Sequence, residues 1–382
     1  MSINSTLRKE GIKVIGKLNT LEINKIAANI SEKIVTAFPE HNLNQHDLFV
    51  SIARLNMYLA EMPNDMAMAK YFYKNNSIYF SKDMNLTSLH TLALHECLHF
   101  IQELKDKNGK LLRFGLYNLE NRSNTGMALN EAAVQNMASI ASNSPLDTVK
   151  YYNMNLATES PDFYPIQTAL LNEMIFFTGT YPLYHSTLYS NDIFKNTFIA
   201  KSNAKAYAQI EKNFDLIFQY ETLLSKQVYN LSICSEELRS IGKIKKINEK
   251  IDAYKNIIMQ KTLETQNIIM LNCFTNELTS IRTLEDINVF KYKLYNFKQF
   301  LISTDNYNFY TDMCIDMMSK LEEKQEFLLK YGNILDLDSI NLELAAIQEH
   351  TYGFQFFKRL FHKLKLLFEE AVREKDYWKD WI

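Results

Sequence analysis

The sequence predicts an α+β protein that is predominantly α, with a mixed domain over residues 1–200 and an all-α helical bundle over 201–382. Three observations predict it. All six prolines (Pro39, Pro63, Pro145, Pro161, Pro165 and Pro182) precede residue 183, so nothing breaks a helix in the second half. Apolar residues in that half recur at helical spacing, while strand-forming aromatic runs are confined to the first half. With 47% hydrophobic and 13% aromatic residues, the 382-residue chain has ample core for two domains and is not disordered.

Taken in order, Ile23, Ile26, Ile30 and Ile34 lie at helical spacing, and Leu48 to Leu59 reads as a further helix. Tyr71-Phe72-Tyr73 and Ile78-Tyr79-Phe80 flank Lys74-Asn75-Asn76-Ser77, whose asparagines tolerate the positive φ of a tight turn; this predicts a hairpin over about 70–81. Asn85-Leu86-Thr87-Ser88 offers capping residues for a helix over about 89–104, and another helix is expected over about 127–140. Beyond residue 200, three apolar stripes read as helix cores: Tyr207, Ile210, Phe214 and Ile217; Ile287, Phe290, Leu294, Phe297 and Leu301; Tyr310, Cys314, Met317 and Leu321. Residues 303–308 and 331–339 read as turns.

Charge and cysteine usage narrow the partners. A formal net charge of −2 supplies no basic excess, so no nucleic-acid partner is expected. Cys97, Cys234, Cys273 and Cys314 are far apart and form no C-x-x-C pair, as in a reducing compartment. The polar N-terminus lacks the apolar stretch of a secretory signal, and no 18-residue apolar run could span a bilayer, so a cytoplasmic location is expected. Gly353–Val372 mixes Phe354, Phe357, Leu360 and Leu364 with Lys358, Arg359 and Lys363. It reads as a core helix with a solvated basic face, with docking of a protein partner or a membrane surface as the alternative.

The chemistry resides in His95-Glu96-Cys97-Leu98-His99, an H-E-x-x-H motif on the helix expected over 89–104. Residues i and i+4 stand about 40° apart around a helix and about 6 Å along it, so both imidazoles can reach one ion. Leu94, Cys97, Leu98, Ile101 and Leu104 fall on the opposite face of the wheel. Two neutral imidazoles leave Zn²⁺ a strong enough Lewis acid to bring the pKa of a bound water down to about 7. Glu96 is placed to take that water's proton as general base. A chain with 8 His in 382 positions would show the motif by chance about 0.01 times. Catalytic zinc wants three protein ligands and an open position. The best third candidate is Glu131, in Asn130-Glu131-Ala132-Ala133-Val134, with 31 residues between it and His99.

At these residues the chain resembles the gluzincin group of zinc metallopeptidases, in which H-E-x-x-H on one helix is completed by a Glu on a later helix, often preceded by Asn. His95, Glu96, His99 and Asn130-Glu131 match that pattern, and the run from Ala69 through Gln135 looks similar to metallopeptidase-like proteins of AT-rich Gram-positive bacteria. Ala132-Ala133-Val134 supply no acidic residue after the metal-binding Glu, so the family's usual support behind the histidines is not carried over. The resemblance implies a zincin-like domain in which a strand before the motif helix pairs with an extended peptide, here Ser77 to Ser81. It also implies an oxyanion donor downstream of Glu131, with Tyr164 ranked before His185.

The expected function is therefore that of a zinc-dependent metallopeptidase acting on a peptide or protein. His95, His99 and Glu131 would hold Zn²⁺, Glu96 would activate water, and Tyr164 or His185 would steady the oxyanion. The alternative is a non-catalytic helical interaction protein with a structural or vestigial zinc site; a metal hydrolase of some other substrate is a third reading.

Overall fold

Helix formation begins with a self-contained signal. Asn19 accepts the Glu22 N–H while Glu22 caps the Asn19 N–H, a capping box that opens a helix over Thr20–Ala37. Its four isoleucines at positions 23, 26, 30 and 34 are buried. Each contributes roughly 1.5–3 kcal/mol against about 1 kcal/mol for a cap, so burial, not the cap, anchors the helix.

In this computed structural model, which describes residues 3–63, 68–83, 86–120, 125–236, 241–304 and 309–331, the chain is mainly helical with small sheets. The elements run α1 (Ile3–Lys9), β1 (Lys13–Lys17), α2 (Thr20–Ala37), α3 (Gln45–Ala53), β2 (Asn56–Glu61), β3 (Ala69–Phe72), β4 (Ser77–Ser81), α4 (Leu86–Ile101), β5 (Glu103–Lys105), β6 (Leu111–Phe114), β7 (Tyr117–Asn118), α5 (Met127–Ala141), β8 (Asp147–Tyr151) and β9 (Met154–Thr158). Then follow α6 (Pro165–Thr178), α7 (Thr180–Tyr189), α8 (Ile193–Lys201), α9 (Ala204–Glu236), α10 (Ile241–Ser280), α11 (Leu284–Asn296), β10 (Ser303–Thr304) and α12 (Phe309–Tyr331). No helix among the described residues is long and apolar enough to cross a membrane. The Gly353–Val372 stretch and the Asn85 cap lie outside the described residues.

The expected hairpin over 70–81 forms: β3 and β4 pair antiparallel with Tyr71 opposite Ile78. Four expectations differ. The helix expected across Leu48–Leu59 stops at Ala53, and Asn56–Glu61 becomes a strand pairing parallel with β4 and antiparallel with β1. A short apolar run does not reveal its period, and here buried Met57 and Ala60 serve a sheet. The motif helix spans 86–101 instead of 89–104, because Glu103–Lys105 turns into a strand against β6; Leu104 is consequently exposed. The strand Ser77–Ser81 is not an edge: the sheet order is β1-β2-β4-β3, so β3 is the free edge beside α4. Finally, residues 204–270, expected in a separate bundle, belong to the first of two compact units, Met1–Met270 with Gln299–Tyr307.

Within the first unit, α5 is the hub, touching α2, α4, α6, α7 and α9. Its run of buried small residues, Ala128, Ala132, Ala133, Ala138 and Ala141, lets these neighbours approach closely. Gly126 at its start has φ 98° and no capping side chain of its own. Asp215 of α9 supplies the cap, accepting the Gly126 N–H at 2.8 Å and the Ala128 N–H at 2.9 Å. That contact ties α9 to α5 within the first unit. In α9 the expected stripe of Tyr207, Ile210, Phe214 and Ile217 is buried. Gln266 of α10 donates to the fully buried Glu173 of α6 at 2.7 Å.

The second unit comprises Leu271–Lys298 and residues from Asn308 onward. Phe274 meets Phe290 and Phe297 edge-on, with ring centroids 5.8 and 5.5 Å apart. A Thr283–Asp286 capping box starts α11, and the Tyr310 hydroxyl donates to the Leu294 carbonyl at 2.7 Å.

Candidate metal centre

Helices α4 and α5 pack against each other, and each delivers ligands from its facing side. On α4, Leu94, Cys97 and Leu98 point into the core as the wheel requires. His95 and His99 then share the face toward α5, with Nε2 atoms 3.1 Å apart. Glu131 of α5 brings Oε2 to 3.4 Å from each Nε2. Ligand atoms around a tetrahedral zinc with bonds of about 2.0–2.1 Å stand about 3.3 Å from one another. The observed triangle fits that separation, and His95, His99 and Glu131 form a group that could hold a metal ion.

Charge supports the same fit. Burial alone would raise the Glu131 carboxyl, but the imidazoles of His99 and His95 hold it well below the usual carboxylate range. Burial alone would depress His99, and the neighbouring charges of Glu131 and Glu96 reverse that and raise it. A carboxylate and an imidazole that favour charge on each other in this way are suited to share a cation.

Each imidazole is backed by an amide. His95 Nδ1 lies 2.9 Å from Gln135 Oε1, and Gln102 Nε2 lies 2.7 Å from His99 Nδ1. Sequence reading missed both residues, although Gln102 follows His99 by three positions and Gln135 follows Glu131 by four, the spacings that share a helical face. Asn130, matched by the resemblance, does not face the ligands. Its Oδ1 accepts the Leu116 N–H at 3.0 Å and ties the turn between β6 and β7 to α5.

Glu96 stands beside the ligands, 8% exposed, and accepts the Tyr71 N–H of β3 at 2.6 Å. The edge strand thus aims the expected general base. Compared with known proteins, the chain matches no family model, no curated protein and no solved structure. The site must be read from its own geometry.

The two oxyanion candidates separate. Tyr164 sits in the left-handed region at φ 54°, ψ 43°, immediately before Pro165 at the start of α6. A tyrosine there is strained, and the strain brings its ring to 6.2 Å from that of His95. Burial, together with the charges of Glu131, Glu96 and Glu221, raises its hydroxyl well above its ordinary value. His185 instead contacts the rings of His41, Tyr181 and Tyr189, and Asn191 bonds its Nδ1 at 3.0 Å. The structure does not bring it to the ligand group.

Helix α9 supplies an aromatic neighbour that its own residue pattern does not announce. Phe218 packs on Tyr164 with centroids 5.9 Å apart. Next to it a pocket of about 560 Å³ is lined by Tyr117, Met127, Asp215, Phe218, Thr222 and Leu223. Met127 lies one helical turn before Glu131, about 6 Å along α5.

Proposed function

We propose that this chain is a zinc-dependent peptidase of the gluzincin type. The observation that carries the reading is the convergence of His95 Nε2, His99 Nε2 and Glu131 Oε2, with separations of 3.1–3.4 Å, beside a Glu96 that is not part of the triangle. A metal-binding triangle alone would serve a structural site; a carboxylate held next to it by a main-chain amide is what hydrolysis needs.

Zinc bound there would supply the Lewis acid that activates water and polarises a carbonyl. Glu96, aligned by the Tyr71 N–H, takes the water's proton and passes it to the departing amine. The Tyr164 hydroxyl, a donor that does not ionise at neutral pH, steadies the developing oxyanion.

The substrate is an extended peptide. Met68 O accepts the Ser81 N–H of β4, so alternation along β3 turns the main-chain groups of Ala69 and the Tyr71 carbonyl outward, while the Tyr71 N–H is held by Glu96. A peptide adding to this edge is held by main-chain bonds, while the pocket beside Phe218 and Met127 receives one of its apolar side chains. Incubating the zinc-loaded protein with a labelled peptide library tests the reading: cleavage by the wild type and none by Glu96→Gln supports it. No cleavage by either, or equal cleavage by both, contradicts it.

A further inference from the structure

One carboxylate of α9 stands where the helix pattern asks for an apolar side chain. Tyr207, Ile210, Phe214, Ile217 and Leu224 are buried and advance by 3, 4, 3 and 7 residues, which leaves one place in the stripe between Ile217 and Leu224. Glu221 occupies it, four residues after Ile217 and three before Leu224. A carboxylate taken out of water there costs free energy unless a partner compensates it. Glu221 bonds the amide of Gln167 in α6, itself fully buried. Among the described residues no Lys, Arg or His pairs with Glu221, and burial pushes its carboxyl up to about 7.

Its surroundings connect it to the candidate site. Tyr164 and Gln167 are three residues apart, as are Phe218 and Glu221, so two rungs cross from the start of α6 to α9. In one rung Tyr164 meets Phe218 with centroids 5.9 Å apart; in the other Gln167 meets Glu221. The Tyr164 ring is in turn 6.2 Å from that of His95, and the charge of Glu221 acts on the Tyr164 hydroxyl. Tyr151 and Tyr152, whose hydroxyls are 3.1 Å apart, also lie in the field of Glu221. At 100° per residue Glu221 stands about 60° from Phe218 on one side of α9, while Thr222 of the 560 Å³ pocket stands about 40° away on the other. Phe218 therefore parts an anionic recess from that pocket. Glu221, Tyr151 and Tyr152 are only partly buried, so solvent reaches the recess. A carboxylate without a counter-charge, set among aromatic rings, is suited to an organic cation.

We propose that Glu221 is a specificity-determining residue that pairs with a cationic side chain, lysine or arginine, of the bound peptide. This rests on the reading of the site as a zinc peptidase and names the substrates it prefers. Reach favours a side chain over the terminal amine. Glu221 lies one helical turn, about 5 Å, along α9 from the rung of Tyr164, the group placed at the scissile carbonyl. A lysine or arginine stem can lie along the rings over that distance while its head meets the carboxylate. The pocket on the other side of Phe218 remains for a neighbouring apolar side chain.

The test uses N-acetylated, C-amidated peptides that differ at one position, Lys, norleucine or Glu, with that position moved in turn along the chain. Assays run at pH 8, where Glu221 is ionised. Cleavage by the zinc-loaded wild type is read as kcat/KM, and binding is read by fluorescence anisotropy with Glu96→Gln, alone and combined with changes at Glu221. At one position Lys should be preferred over norleucine by about 10–100-fold in both readings, as for a hydrogen bond between charged groups. Glu221→Gln should bring that ratio close to one, and Glu221→Lys should turn the preference toward Glu, a reversal that a packing role does not produce. Cleavage without a Lys preference at any position, or a preference that Glu221→Gln leaves intact, overturns the inference and keeps the peptidase reading. A preference that appears only when the acetyl group is omitted assigns the cation to the peptide's amino terminus and likewise overturns it. Binding with a Glu221-dependent Lys preference but no cleavage by the wild type removes the peptidase reading and leaves the recess standing; neither binding nor cleavage removes both.

Discussion

Two pairs of histidines among the described residues meet ring to ring, and their surroundings differ. His95 and His99 have ring centroids 4.8 Å apart, and His41 and His185 5.9 Å apart. Around the first pair, Glu131 and two glutamine amides leave no ring nitrogen without a polar neighbour. Around the second, the neighbours are the rings of Tyr181, Tyr184 and Tyr189, with one amide, that of Asn191, on His185 and no carboxylate shared by both rings. Neither nitrogen of His41 makes a hydrogen bond, although Glu40 stands 3.3 Å from Nε2, and burial lowers its pKa. What sets the first pair apart is thus a carboxylate oxygen near both Nε2 atoms and an amide behind each ring. Two imidazoles packed side by side serve equally well as aromatic core.

The sharpest way to break this contrast is to delete ligands from each pair. Glu131→Ala or His99→Ala should abolish stoichiometric zinc, a loss larger than the roughly 100-fold expected for a supporting partner. His41→Ala and His185→Ala should retain one zinc per chain; metal analysis after gel filtration reads the difference. Next in size is Glu96→Gln, which should keep zinc yet lower peptide turnover by about 10²–10⁴-fold. Tyr164→Phe should cost about 10²-fold in kcat with KM little changed, whereas His185→Ala should cost roughly twofold at most. Equal effects of these two changes would erase the distinction drawn between them.

The smallest expected effect tests the wall behind Tyr164. Burial pushes Glu221 up to about 7, partly offset by the hydrogen bond from Gln167. An unfolded Glu titrates near 4.5, so the folded chain binds this proton more tightly. The stabilisation is fully present below about pH 4.5 and disappears as pH rises through 7, amounting to about 3 kcal/mol. Glu221→Gln should therefore lack this component of the pH dependence, measured as the difference between the two urea-unfolding curves from pH 4.5 to 8. Parallel curves would show that Glu221 titrates normally.

Much of the site is legible in the sequence because helical spacing is a local rule. His95 and His99 meet for that reason, and the apolar face of Leu94, Cys97 and Leu98 fixes which way they point. The isoleucines of α2 and the Tyr71 and Ile78 strands follow from equally local patterns. What escaped depends on partners far along the chain. β2 looks like a continuation of α3 until β4 is placed beside it. β3, not β4, proved to be the edge only once the sheet order was known. The hairpin of β8 and β9 turns through Tyr152 and Asn153, both at positive φ, a combination without the usual Asn-Gly signal. Asp215 caps a helix 87 residues before it, so α9 joins the wall of the site although its own pattern announces only a core stripe.

The central claim, that His95, His99 and Glu131 converge on one cation while the other histidine pair does not, is tested most directly by anomalous diffraction at the zinc edge from crystals of the zinc-loaded protein. A single peak about 2.0–2.2 Å from both Nε2 atoms and a Glu131 oxygen is the expected result. A peak between His41 and His185, or none within reach of Glu131, would contradict it.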